Sequence, residues 1–501
     1  MNAQAARLAS FLVATLLTVG ACGGSSGGGV TAQPPPPPPP PPPPVGGITR
    51  TGVAVAVGPV TAFGSVVVNG ITYDTSAADF TVDGQAATQA NIAVGDMVLV
   101  IGTIDDDNTN AVAESVESDD IVEGPVSSVN TGTEIMVVLG QTVKFGGAIF
   151  DDNCPAILND LLTVAAVEVH GQVMGDGTID ATRIECKNVL LEMEVTGIVS
   201  GLGVDTFMIN DLVVNFTSFP AAIDNFPTPG VISDGNPVEV KGNSFVAGTD
   251  DLIATRVEFK GNRFGDNEGD HMEIEGFING FVSELEFNVG ITPVTTIPDT
   301  TIYEGGSVAD LGDNLKVEVE GEFDDTGVLN ANKVEIKQAT TVRLTAQVDS
   351  VSGNSFVMLG ITVNTEQGIT RFEDKTGMVG DSFNVGDINT DDYVEVRGQE
   401  IPAGSGQIFA EIVERDDFDT EAIIQGFIET NGVNRPLITV LGDTIETNGA
   451  TIFRNDDESV IADADEFWGR IAAGSLIKAK GTEDMARPRT LIAEEIEIQV
   501  E

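Results

Sequence analysis

Val317-Glu318-Val319-Glu320-Gly321, followed ten residues after its glycine by Ala331-Asn332-Lys333-Val334-Glu335, is the passage that decides how this chain folds. Valine alternating with glutamate has the period of a strand with one buried face. The same two pieces occur six times. The first is an apolar pair closed by glycine: Val98, Val100, Gly102; Val167, Val169, Gly171; Val238, Val240, Gly242; Val317, Val319, Gly321; Val394, Val396, Gly398; and Ile477, Ala479, Gly481. The second, Ala-x-x-Val/Ile-Glu, begins at Ala113, Ala181, Ala254, Ala331, Ala410 and Ala493, 10 to 12 residues after the glycine. The closing glycines lie 69 to 83 residues apart. Self-similarity at such an interval marks an array of one small domain, so fold and function are argued per unit.

Working outward, each unit reads as about five short strands. The first carries Gly58, Gly124, Gly197, Gly276, Ala346 or Gly426 near its middle. The second holds an apolar pair before a turn, as in Val66, Val68 and Gly70 or Val357, Leu359 and Gly360. A third follows near Ile302-Tyr303, Arg371-Phe372 and Ile452-Phe453. The fourth is the glycine-closed triplet, and its outward residues pair opposite charges (Glu239 with Lys241, Lys316 with Glu318, Glu395 with Arg397), as expected of a solvent-facing side. In the fifth, the alanine and the later valine or isoleucine are three apart and cannot both face inward along a regular strand. A β-bulge between them restores the phase. Asp463–Ala473 reads as a short helix between strands of the last unit. Five strands in about 70 residues suit an OB-like barrel better than the alternative, a small β-sandwich. The expected organisation is 1–21 signal segment, 22–47 tether, and units 48–120, 121–188, 189–262, 263–338, 339–417 and 418–501, each packing against its neighbours. A hinge is expected between Lys260 and His271, where Gly261, Gly265 and Gly269 lie among acidic residues.

The chain opens with Arg7 and an apolar run from Leu8 to Val19, too short to span a bilayer, then Val19-Gly20-Ala21-Cys22. That ending resembles the lipobox of bacterial lipoproteins, which implies cleavage before Cys22, a lipid anchor on its sulfur, and attachment to a membrane. Gly23 in place of aspartate resembles the outer-membrane sorting pattern, on either the periplasmic or the surface face. Gly23 to Gly29 form a flexible Gly/Ser stretch, and eleven prolines, Pro34 to Pro44, follow as a stiff polyproline spacer.

The Gly-centred first strand, the apolar-x-apolar-x-Gly turns, the Gly-Asp before the fourth strand and the closing Ala-x-x-Ile-Glu together resemble the bacterial domain-of-unknown-function family 5666. The resemblance covers Ile48 to Glu501 and departs at Ala346 and Ala479, which replace the usual glycine and valine. It implies an exported lipoprotein with tandem copies, and brings no known activity, ligand or catalytic residue.

Candidate chemistry is sparse. Cys154 and Cys186 both fall in the second unit and are candidates for a disulfide, with two separate buried thiols as the alternative. His170 is expected at a strand surface or edge. His271 follows Asp266, Glu268 and Asp270, a weak metal-site candidate and more simply a hydrated acidic linker. Acidic pairs recur in loops (Asp105-Asp106-Asp107, Asp151-Asp152, Asp324-Asp325, Asp391-Asp392, Asp456-Asp457) and allow calcium, although none has EF-hand spacing. No nucleophile elbow, phosphate loop or dinucleotide fingerprint occurs in a fitting context. A net charge of -54 with one Trp and three Tyr argues against nucleic acid, which needs a basic groove and stacking aromatics. The expected function is a non-enzymatic envelope stalk or binding array with an unknown protein or polymer partner. The alternatives are a calcium-dependent binding protein and, more remotely, a carboxylate-based hydrolase.

Overall fold

The computed structural model describes residues 53–499, apart from 64, 105–109, 218–220, 247–250, 261–270, 299, 325–327, 338–340, 380–382, 402–404 and 456–458. The lipobox with Cys22, the proline spacer, the Lys260–His271 hinge, and Asp105, Asp106, Asp107, Asp266, Glu268, Asp270, Asp325, Asp456 and Asp457 therefore lie outside the described residues.

Unit 4 shows the pattern. Strand 1 is His271–Ser283, strand 2 Glu286–Val289, strand 3 Thr292–Thr296, strand 4 Lys316–Phe323 and strand 5 Leu329–Ile336. Strand 1 pairs antiparallel with strands 2 and 4, strand 4 with strand 5, and strand 5 runs parallel to strand 3. The order 1-2-3-5-4-1 closes a five-stranded OB-like barrel, and the other units repeat it. The short segment Ile302–Glu304, counted from sequence as strand 3, is a second piece parallel to strand 5. The strand that leaves the tight turn goes unread in the sequence, because its four or five residues follow directly on what looks like a terminating glycine. In that turn both central residues have positive φ, for example Asn69 and Gly70 or Leu139 and Gly140, the primed geometry that matches strand twist.

The bulge is present in all six units. In unit 4, Gly321 pairs with Ala331 while Glu320 pairs with Lys333, leaving Asn332 as the extra residue. The same shift leaves Glu114, Thr182, Thr255, Glu411 and Glu494 extra elsewhere. It lets Ala331 and Val334 both point into the core, at 1% and 0% exposure. The bulge also turns a carbonyl against the closing glycine: a Cβ on Gly321 would lie 2.3 Å from the Asn330 oxygen. The first-strand glycine has a different cause. At Gly124 a Cβ would meet the buried Leu139 side chain at 2.4 Å, because the strand 2–3 turn curls back over strand 1.

Closure leaves the first half of strand 1 with one free edge, and each unit satisfies it with the strand 1 of another unit. Units 2 and 3 pair antiparallel there (Val122 with Val195), as do units 5 and 6 (Leu344 with Ile424). Unit 1 pairs parallel with unit 4, Ala54–Val57 against His271–Ile274. The expectation of neighbour pairing is thus corrected at the strand 1 edges of units 1 and 4, which pair with each other, and the reason lies in the side chains. The outer face of unit 1 is apolar, and Val55 and Leu99 join the unit 4 core beside Met272 and Ile274. The outer faces of units 2 and 3 are charged and offer no such partner. Those charged faces are not solvent-facing, which corrects a second expectation. Glu239, Glu318 and Arg397 are 3%, 7% and 6% exposed.

Gly321→Ala is expected to cost roughly 1–3 kcal/mol through overpacking. Gly312→Ala, where a Cβ meets nothing within 4 Å, should stay within about 0.5 kcal/mol. Urea unfolding of the two variants checks the difference.

Candidate functional site

Antiparallel pairing of the unit 2 and unit 3 first strands places Glu123 opposite Glu194. On either side, the outward positions of strands 4 and 5 add Glu168, His170 and Lys187 from unit 2 and Glu239 and Lys241 from unit 3, with Lys260 directly after strand 5. Unit 1 lies against this polar surface: Thr182 donates to the Gly95 carbonyl at 2.6 Å, and Arg183 to the Val94 carbonyl at 3.2 Å. Unit 1 also brings Asp83, at the tip of a hairpin formed by Asp79–Val82 and Gln85–Ala87. Asp83 Oδ1 accepts from the Asp120 backbone N–H at 3.5 Å.

The charges do not balance. Lys187 pairs with Glu168 at 2.5 Å and with Glu185 at 3.1 Å. Lys241 holds Glu194, and Lys260 holds Glu239 and lies 3.3 Å from Asp119. Among the described residues, no Lys, Arg or His comes within ion-pair range of Asp83, Asp120 or Glu123. Burial first, then neighbouring carboxylates, pushes Glu123 up to about 7 and Glu194 up to about 8. The same causes hold Asp120 well above the carboxylate range. Carboxylate oxygens of Asp83, Asp120 and Glu194 lie within 4.8 Å of one another, as do those of Asp120, Glu123 and Glu168. A cavity of about 350 Å³ borders the cluster and is lined in part by Asp83, Glu168 and His170.

His170 is not at a surface or edge. It is 2% exposed, with Nε2 3.3 Å from Glu168 and 3.6 Å from Asp96 of unit 1. It occupies an outward position, but the outward side is covered by another unit, which a reading of one unit at a time misses. Burial opposes its charge, and Asp96 and Glu168 outweigh burial, raising it to about 9. Burial likewise opposes the charge of Glu168, but His170 and Lys187 hold it down to about 2.

His271 begins strand 1 of unit 4, buried, with Nε2 3.9 Å from Glu320. It faces a second pocket, of about 280 Å³, that also contains Glu273 and Glu318. Burial first, then the adjacent Glu318 carboxylate, raises Glu273 well above its ordinary value. Such a pair can hold one proton between two carboxylates. Cys154 and Cys186 are joined in a disulfide, with Cα atoms 4.9 Å apart. Where units 1, 2, 4 and 5 converge there is a chamber of about 490 Å³. Lys144, Lys316, Lys337, Arg343, Arg371 and Arg397 line it, a quarter of the chain's 24 basic residues. The three arginines hold units together: Arg397 donates to the Ala148 carbonyl at 2.6 Å, Arg343 to Glu134 at 2.9 Å and Arg371 to the Thr182 carbonyl at 3.3 Å, while Lys316 and Lys337 pair with Glu275 and Glu318 inside unit 4.

Of the residues sequence reasoning singled out, the structure brings His170 into a charged cluster and places His271 beside a different one. Asp83, Asp120, Glu123 and Glu194 were missed. The available signal was a glutamate recurring at the outward position of strand 1, at Glu123, Glu194 and Glu273.

The stability His170 contributes is complete below about pH 6.5 and is lost as pH rises through about 9. His170→Gln is expected to flatten the decline in unfolding free energy across that window, as measured by denaturant titration at a series of pH values. The disulfide closes a loop between positions 32 apart. The Cys154→Ala, Cys186→Ala double variant is expected to lose roughly 3–4 kcal/mol, read from the same titrations under oxidising conditions.

The model of the family described as "Domain of unknown function (DUF5666)" matches residues 57–117, 123–185, 196–258, 274–335, 345–414 and 425–497. Each match spans one barrel from strand 1 to strand 5. No curated protein matches the sequence. Among solved structures, drosophila Unr CSD456 is similar at 13% identity over 42% of this chain and 98% of that chain, with a TM-score of 0.14.

Proposed function

The chain belongs to the DUF5666 family, which it carries six times over, and on that premise we propose that it is a cell-envelope lipoprotein whose barrels form a non-enzymatic binding body. The observation that carries the reading is the sequence from Arg7 through the apolar run to Val19-Gly20-Ala21-Cys22. In this reading Cys22 carries the lipid, the Gly/Ser and proline segments are the tether, and the barrels are presented beyond the outer membrane's headgroups. The pairing of unit 1 with unit 4 favours a folded-back body over an extended stalk. A net charge of -54 favours basic or cationic partners over nucleic acid or anionic lipid.

In a Gram-negative host, the full-length chain is expected to incorporate an alkyne fatty acid and to fractionate with the outer membrane. Cys22→Ala should lose the label and leave the membrane fraction. A wild-type chain without label, or a variant that keeps it, overturns the anchor. Pull-down from envelope material, with and without calcium, then identifies the partner.

A further inference from the structure

At the junction of units 1, 2 and 3 lies more buried negative charge than the protein neutralises. Asp120 is 3% exposed, and its Oδ1 has no hydrogen-bond partner among the described residues. Glu194 is 4% exposed; its Oε2 is held by Lys241, while its Oε1 likewise has no partner. Both residues belong to a carboxylate cluster made of two groups that share Asp120: Asp83, Asp120 and Glu194, then Asp120, Glu123 and Glu168. Burying an unpaired carboxylate is costly unless something positive arrives.

We propose that Asp83, Asp120, Glu123, Glu168 and Glu194 form a binding site for a hard divalent cation, and that the cation is calcium. The donors are oxygen only, which excludes soft-metal preference and suits magnesium, calcium or manganese. Calcium takes six to eight oxygens at about 2.3–2.6 Å, so carboxylate oxygens that lie within 4.8 Å of one another in each group of three can share one ion. Magnesium, at about 2.0–2.1 Å in a strict octahedron, retains its waters and gains less from so many carboxylates. The bordering cavity supplies the entry path. The site is distinct from the loop pairs and from the His271 region considered on sequence grounds. Its ligands come from three units, so the ion cross-braces unit 1 to the unit 2–3 pair. The proposal is independent of the lipid anchor.

Full-length protein, stripped with EDTA, is titrated with calcium chloride by calorimetry, and its melting temperature is followed in parallel. A polyanion also gathers divalent ions diffusely, so magnesium chloride at equal concentration is the control. The expected result is a saturable calcium site, a melting temperature raised by calcium more than by magnesium, and affinity weakened roughly tenfold or more in Asp120→Asn and Glu194→Gln. Asp120→Asn should melt no lower than wild type in EDTA, since it removes a buried carboxyl group whose Oδ1 has no partner among the described residues, which separates lost binding from lost folding. Equal shifts with both metals, no saturable heat, or undiminished calcium response in both variants overturns the site.

Discussion

One additional residue in strand 5 governs the architecture. Without it the alanine and the later valine or isoleucine could not both enter the core, and a strand shared between two sides of a barrel could not turn the corner. With it, the preceding carbonyl is pressed onto strand 4, and only glycine leaves room. The repeated sequence signature, an alternating triplet ended by glycine and an alanine spaced three from its next apolar partner, is the imprint of that single contact. Barrel closure follows, and closure exposes half of strand 1 as an edge.

How the barrels associate is then decided by what faces outward beside that edge. Units 2 and 3 present carboxylates and lysines, and together make a polar floor. Unit 1 presents Val55 and Leu99, and can be completed only by an apolar neighbour. The contacts between pairs include arginines reaching carbonyl oxygens, such as Arg397 to Gly146 and Ala148 and Arg371 to Thr182. Guanidinium groups suit this role because several fixed donors serve several acceptors at once. Thr182 is itself a bulge residue, so the irregularity that shapes one barrel also provides an attachment point for two others.

Local structure was legible in the sequence because it rests on residues close in the chain. Strand alternation, the bulge phase at Ala331 and Val334, and the α-helix at Ala464–Arg470 capped by Asp463 could all be read within one unit. The strand after each turn was hidden because Gly70 or Gly360 serves equally as a terminus and as a hairpin centre. Partnership between units was legible only where chain neighbours pair, units 2 with 3 and 5 with 6, and not for unit 1 with unit 4. Glu168, His170 and Glu239 have the pattern of a wetted surface, and nothing local announces that another domain covers them. The acidic junction was invisible for the same reason: its members come from three units, and Asp83 belongs to a hairpin that, among the described residues, is particular to unit 1.

The parallel seam between Ala54–Val57 and His271–Ile274 gives this repeat protein a history as well as a shape. In a linear solenoid each new module finds its support already in place. Here the earliest barrel to emerge must wait, its greasy flank uncovered, until two others have been made and the fourth arrives. Contacts of such long sequence separation form slowly and leave sticky surface available to the wrong neighbour. The vulnerable moment in this chain's biogenesis therefore falls midway through its delivery, and a protein truncated before its fourth barrel inherits that exposure permanently.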